Sequence, residues 1–279
     1  MQSQVKTITR KLTISFLLLL TVAAFSTLAF ADDSWGGKSG DRPIVRSTVI
    51  SEPGNYVLLR DITSTEPIRI LASGVTLDLN GHQLSAATRG AGVGVGVEGA
   101  TGVTIKNGRV GGFMMNVRLM NSTNVTVKDL SIVGADLAPS GGPSEIGIVL
   151  LNARASFVKG NTISSVNLGI FVRGGGSSGN RIFENLVVGG ATPANSLLGI
   201  CYNPAPTGGT DGPRGDVIYN NHIARFGWAI AISEFSISNI FRENTLSSYV
   251  GGIREQQFLK ANGGTNIADG NLETIIPAN

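Results

Sequence analysis

The chain has 279 residues, with 22 Lys and Arg against 19 Asp and Glu. Three of the basic residues, Lys6, Arg10 and Lys11, fall in an N-terminal leader, so the remainder carries no formal net charge; this excludes the basic stripe that a nucleic-acid binder needs. Cys201 is the single cysteine, which excludes an internal disulfide or a zinc site of C-x-x-C type and leaves a small apolar filler as its expected role.

In the leader, the three cations precede an uncharged, mostly apolar run from Leu12 to Phe30. Ala29-Phe30-Ala31 then offers small residues at the two positions that a signal peptidase reads. Residues 1–31 are expected to be a signal peptide, leaving 32–279 as one secreted or periplasmic domain with no stable membrane anchor. Pro43, Pro53-Gly54 and Pro67 mark residues 42–74 as an N-terminal cap with the first strands, since an uncovered solenoid end is an exposed strand edge.

Gly94, Gly96 and Gly99 form a G-x-G-x-x-G, but the adjoining residues TGVTIKNG read as another strand. A dinucleotide loop must feed a helix, so these glycines are expected to relieve crowding between strands.

From residue 103 onward one phrase returns: branched apolar residues, then Asn or a near relative, then another apolar residue. It reads VTIKNGRV at 103, VTVKDLSI at 125, FVKGNTI at 157, RIFENLVV at 181, VIYNNHI at 217 and IFRENTL at 240. A second strand lies between these phrases, usually opened by a small residue, and its equivalent positions are Val117, Ile148, Ile170, Ile200, Ile230 and Ile253. Their steps of 31, 22, 30, 30 and 23 residues give a period of about 22 with three insertions, at 133–145, 189–197 and 204–215. Units this short, alternating with period two and lacking any 3.6-residue apolar pattern, are expected to be stacked β-strands in an all-β solenoid.

On these phrases, with VTLDLNGHQL near the start and NIADGNL near the end, the chain resembles the right-handed parallel β-helix proteins of the pectate lyase-like superfamily. The resemblance implies that Asn107, Asn161, Asn185, Asn221, Asn244 and Asn271, with Asp129 in one coil, form a ladder at a bend where Asn tolerates the left-handed backbone. It also implies a polysaccharide groove on the sheet two strands away from that bend. His82 and His222 are expected to serve local hydrogen bonds.

The insertions flank the glycine-led strand from both sides and would wall such a groove. Alternation from the inward isoleucines puts Arg118, Val149, Phe171, Arg173, Cys201, Asn203, Ala231, Ser233, Arg254 and Gln256 on its floor. Of these, Arg118, Phe171, Asn203, Ser233 and Gln256 are the candidate glycan contacts: an aromatic face for a sugar ring, the others for hydroxyls or carboxylates. Glu234, Asp211 and Asp136, with Arg173 or Arg254, are the candidates for acid–base chemistry by a lyase, hydrolase or epimerase.

The family's catalytic signatures do not carry over. Eliminative cleavage assisted by Ca²⁺ needs a tight carboxylate cluster, and none is visible on the expected floor. The Asp-Asp with a nearby Gly-His-Gly of related hydrolases and the short Asp-His motif of epimerases are also missing. Two readings stay open: an enzyme acting on polysaccharide along the groove, or a non-catalytic structural, adhesion or periplasmic maturation module.

Overall fold

The computed structural model describes residues 40–136, 145–203, 211–233, 235–255 and 266–275, with only the backbone at Pro193, Gly251, Arg254 and Glu255. The leader, residues 137–144 and 204–210 of two insertions, Glu234 and Gln256 lie outside the described residues. Among the described residues no helix is long and apolar enough to cross a membrane.

The chain is a right-handed parallel β-helix. Its strand pairings all run parallel, each strand bonding to the equivalent strand one coil earlier and one coil later. Three parallel sheets result. The first contains Met115–Met120, Ile146–Leu151, Leu168–Arg173 and Leu198–Asn203 and continues through the second half of His222–Ile232. The second contains Phe157–Lys159, Arg181–Phe183, Val217–Tyr219 and Ile240–Arg242, and the third contains Thr162–Ser164 and Leu186–Val188. Residues 41–70 already supply parallel rungs: Asp41–Ile44 pairs with 55–58, and Val49–Ile50 pairs with 69–70.

The register of the first sheet is the one the periodicity gives. Val117, Ile148, Ile170, Ile200, Ile230 and Ile253 are neighbours in successive rungs, and the first five are fully buried. The small residue that opens each strand has a steric cause. A Cβ at Gly147 would lie 2.6 Å from Ile163 Cγ2, so two consecutive residues face the core and only glycine fits at the first. Gly94, in the glycine-rich stretch, sits under the same constraint: a Cβ there would meet the Asn116 carbonyl oxygen at 2.6 Å and Val110 Cγ1 at 2.8 Å.

The asparagine ladder is real but shorter than the sequence suggests. Asn161, Asn185, Asn221 and Asn244 are buried, and each amide oxygen from Asn185 to Asn271 accepts both the backbone N–H and the side-chain amide of the previous coil's Asn, at 2.9–3.1 Å. Each side-chain amide also reaches a backbone carbonyl, as Asn185 reaches Val158 at 2.9 Å. Asn107 and Asp129 do not belong to it. They are exposed, adopt φ of 58° and 54°, and stack on Gly160, Glu184, Asn220 and Glu243, which share that conformation. The left-handed residue is therefore the one before each ladder Asn. The ladder Asn itself points inward, where buried backbone groups need partners.

A second ladder runs parallel to the first at the other bend. Asn180, Asp216, Asn239 and Asn266 each accept the backbone N–H of the preceding member or of Ser156, at 2.7–3.0 Å. Each member from Asn180 onward lies five residues before a member of the first ladder.

Candidate functional site

The outward face of the first sheet carries the residues that alternation puts there, and its apolar middle rungs are covered. In register across five coils stand Arg118, Val149, Phe171, Cys201 and Ala231, with Arg254 next in the backbone pairing. Val149, Phe171 and Cys201 form a compact outward cluster with Ile146 and Leu168, and each of the five is less than 9% exposed. The strands IGIVLL, LGIFVR and LGICYN are near-continuous apolar runs, the signature of strands buried on both faces, and that signal points to this cluster.

Two depressions succeed one another along this face. The first, about 260 Å³, is lined by Met114, Met115, Ile146, Val149, Leu151 and Phe171, with Arg118 and Arg173 adding guanidinium groups. The second, about 130 Å³, is lined by Leu198, Cys201, Asn203, Ala231 and Ser233, among others. They abut in register, since Phe171 pairs with Cys201 and Arg173 with Asn203. From the rung of Met115 to that of Ala231 the trough crosses five rungs, so its length is about 19 Å at the ~4.8 Å spacing of paired strands.

The cations of the trough are held in place. Arg118 meets Glu98 at 2.5 Å, and Glu98 also takes Arg69 at 2.6 Å. Hydrogen bonding to Arg69, then the Arg118 partnership, holds the Glu98 carboxyl below its usual range. Glu98 is thus a charged clamp unsuited to proton donation. It faces outward at the position of Met120 and Leu151, on the rung before Arg118. That rung precedes the first strand of the 22-residue period, so the alternation does not reach Glu98. The Arg173 guanidinium lies 5.6 Å from the centroid of the Phe171 ring. That contact, and an exposure of only 8%, leave the ring as a support for Arg173 and not as a stacking platform for a sugar.

Asn203 is exposed at the end of its strand, whereas Ser233 is buried and shares a hydrogen bond of 3.1 Å with Ser236. Asp136 ties two turns together: one carboxylate oxygen accepts the Thr192 N–H at 3.1 Å, and its carbonyl accepts the Asn195 amide at 2.7 Å. Asp211 is exposed and paired with Arg214 at 2.7 Å. Neither of these carboxylates lines the two depressions. Glu234 and Gln256 lie outside the described residues, as does the Arg254 side chain. Burial pushes the Cys201 thiol up to about 12, so it is an inert filler. His82 makes the local contact expected of it, to Asp61 at 3.4 Å. Among the described residues no group of three or more His, Cys, Asp or Glu side chains is placed to hold a metal ion.

Parallel coils, an inward asparagine ladder and an elongated outward trough on one sheet define a right-handed parallel β-helix protein. No protein-family model and no curated protein matches the sequence. Solved structures do match the fold. The Dettilon tailspike protein superposes with a TM-score of 0.54 at 15% identity, covering 82% of this chain and 52% of its own. The enzymatically active domain of bacteriophage CBA120 tailspike protein 2 gives 0.51 at 10% identity, covering 84% and 42%. An alginate lyase from Paenibacillus sp. gives 0.46 at 13% identity, covering 82% and 98%. The chain thus spans about half or less of the length of the two tailspikes.

Proposed function

We propose that this is an exported β-helix protein that engages polysaccharide along the outward trough of the first sheet. The observation that carries the reading is the trough's shape: two abutting depressions across five rungs, floored by apolar side chains and bordered by the guanidinium groups of Arg118 and Arg173. An elongated depression suits a linear chain, and fixed guanidinium groups on its border suit hydroxyls or carboxylates.

The role supported is binding. Asp136 and Asp211 are engaged elsewhere, and Glu98 is clamped between two arginines. Hydrolysis needs a protonated and an ionised carboxyl group flanking the bond, and elimination needs a base at the reacting carbon.

A panel of uronic and neutral glycans, with and without Ca²⁺, tests both halves of the proposal. Binding that weakens in Arg118→Gln and Arg173→Gln, without unsaturated products or new reducing ends, is the expected result. Turnover that disappears in Glu234→Gln would move the protein to the enzymes. Absence of binding to every glycan would remove the trough reading and favour a scaffold or maturation module.

A further inference from the structure

The two depressions of the trough are chemically different. The second carries Asn203 and Ser233, whereas the described lining of the first, about 260 Å³, is apolar apart from the guanidinium groups of Arg118 and Arg173. Three rungs build the first: Arg118 pairs with Val149 and Val149 with Phe171 down its middle, and Leu151 pairs with Arg173 along one side. Ile146, Val149 and Phe171 at its floor each keep less than 9% of their surface exposed, so the space above them is narrow. A sugar can lie across the rim, where the guanidinium groups stand. Hydroxyls carried down to the floor would exchange water for apolar side chains and find no partners there.

Arg118 supplies a second, independent observation. Its Nη2 is fixed on Glu98 at 2.5 Å, but its Nε is buried and has no hydrogen-bond partner among the described residues. Buried donors in folded proteins are paired, so this one is left for an acceptor that enters the depression. The charge around it points the same way. Among the described residues no Asp or Glu lines the depression, and Glu98 is shared between Arg118 and Arg69, which leaves an excess of positive charge at that end.

We infer that the first depression binds a single-chain acyl carboxylate, with its methylenes on Ile146, Val149, Leu151 and Phe171 and its carboxylate accepting from Arg118 Nε. The apolar floor selects the tail, and the uncompensated guanidinium charge selects an anionic head. At the ~30 Å³ share of a water molecule the volume equals about nine waters, so a chain of about eight to ten carbons fills it. Met114 and Met115 line one wall, and unbranched thioether side chains adapt to a tail of no fixed shape. The assignment does not rest on glycan binding: a protein that takes the acyl chain and no glycan loses the earlier reading and keeps this one.

Calorimetric titration with hexanoate, octanoate, decanoate and dodecanoate, each below its micellar concentration, tests the inference. Affinity is expected to rise about fourfold per added methylene and to level off near decanoate, where the depression is full. Decanol, which keeps the tail and lacks the charge, should bind about tenfold or more weakly. Arg118→Gln should lose about tenfold or more for decanoate and leave decanol unchanged. Met115→Trp, which fills the depression from its half-exposed wall, should remove both ligands, and Lys159→Gln on the second sheet should bind as the wild type does. Thermal unfolding of each variant beside the wild type verifies that it is folded. Decanol binding as tightly as decanoate, affinity still climbing at dodecanoate, benzoate binding more tightly than octanoate, or wild-type affinity in folded Arg118→Gln or Met115→Trp would each overturn the assignment.

Discussion

Tyr202 donates its hydroxyl to Asp216 across 3.2 Å, and neither side chain has meaningful contact with solvent. Asp216 occupies a ladder position that Asn180, Asn239 and Asn266 fill in neighbouring coils. Burial raises its carboxyl to about 6 from 3.8, with the hydrogen bonds from Asn180 and Tyr202 pulling the other way. A folded-state value above the unfolded one means the folded chain holds the proton more tightly. The contribution to stability is complete below pH ~4 and is lost as pH rises through about 6, a swing on the order of 3 kcal/mol.

Asp216→Asn completes the amide ladder and removes the titration. At pH 8 its thermal midpoint is expected to rise on the order of 5 °C, and the fall in stability between pH 4 and 7 should flatten. Thermal unfolding across that pH range, wild type beside variant, checks both. A variant that is less stable at pH 8, or one that keeps the wild-type slope, would show that the carboxylate is not the titrating strain.

The two kinds of bend residue separate by substitution. The Asn185 side chain makes five hydrogen bonds, from the Asn161 backbone and amide and to Val158, Phe183 and Asn221. Asn185→Ala leaves several of these groups buried without partners, at about 1–3 kcal/mol each. Asn107, with φ of 58° and an exposed side chain bonded to Asp78 at 3.0 Å, should accept glycine within a few tenths of a kcal/mol and lose ~1 kcal/mol as alanine. Urea midpoints that ranked Asn107→Gly as worse than Asn185→Ala would reverse the assignment of the inner ladder.

These positions also show how far the sequence can be read. Apolar recurrence sets the coil register, because an inward isoleucine cannot move by one residue without turning every neighbour to the other face. Local phrase matching cannot separate Asn107 from Asn161: in KNG the Asn is the left-handed residue and the Gly turns inward, whereas in GN the Gly is left-handed and the Asn turns inward. The second ladder is present in the sequence as a fixed spacing of five, Asn180 to Asn185, Asp216 to Asn221, Asn239 to Asn244 and Asn266 to Asn271. The trough floor is not legible from alternation, which tells which way a side chain points and not whether that side meets solvent. Phe171 and Cys201 point outward and are buried all the same.

The glycine-rich strand Val93–Glu98 offers a matched pair. A Cβ at Gly94 would meet Asn116, Val110 and Phe113 atoms at 2.6, 2.8 and 2.9 Å, whereas one at Gly96 would find nothing nearer than Val93 Cγ1 at 3.7 Å. Gly94→Ala is expected to destabilise by about 1–3 kcal/mol through overpacking. Gly96→Ala should be neutral or stabilising by up to ~1 kcal/mol, because it restricts the unfolded chain without strain. Equal losses at both positions, measured by urea unfolding, would mean that the strand faces are not as described.

The Arg173–Phe171 contact couples the trough to its support. Arg173 rests over Phe171, which the outward cluster holds at 8% exposure. Phe171→Ala empties that site at about 3–5 kcal/mol of stability and releases the guanidinium from its platform. If Phe171 acts on glycan through Arg173, then Phe171→Ala and Arg173→Gln should each weaken binding by a similar factor, and the double variant should bind no more weakly than either alone. Phe171→Leu keeps most of the volume while removing the ring's cation attraction, so it should stay folded and lose less affinity than the alanine variant. Losses that add in the double variant would mean that the ring touches the sugar itself, which its covered face does not permit.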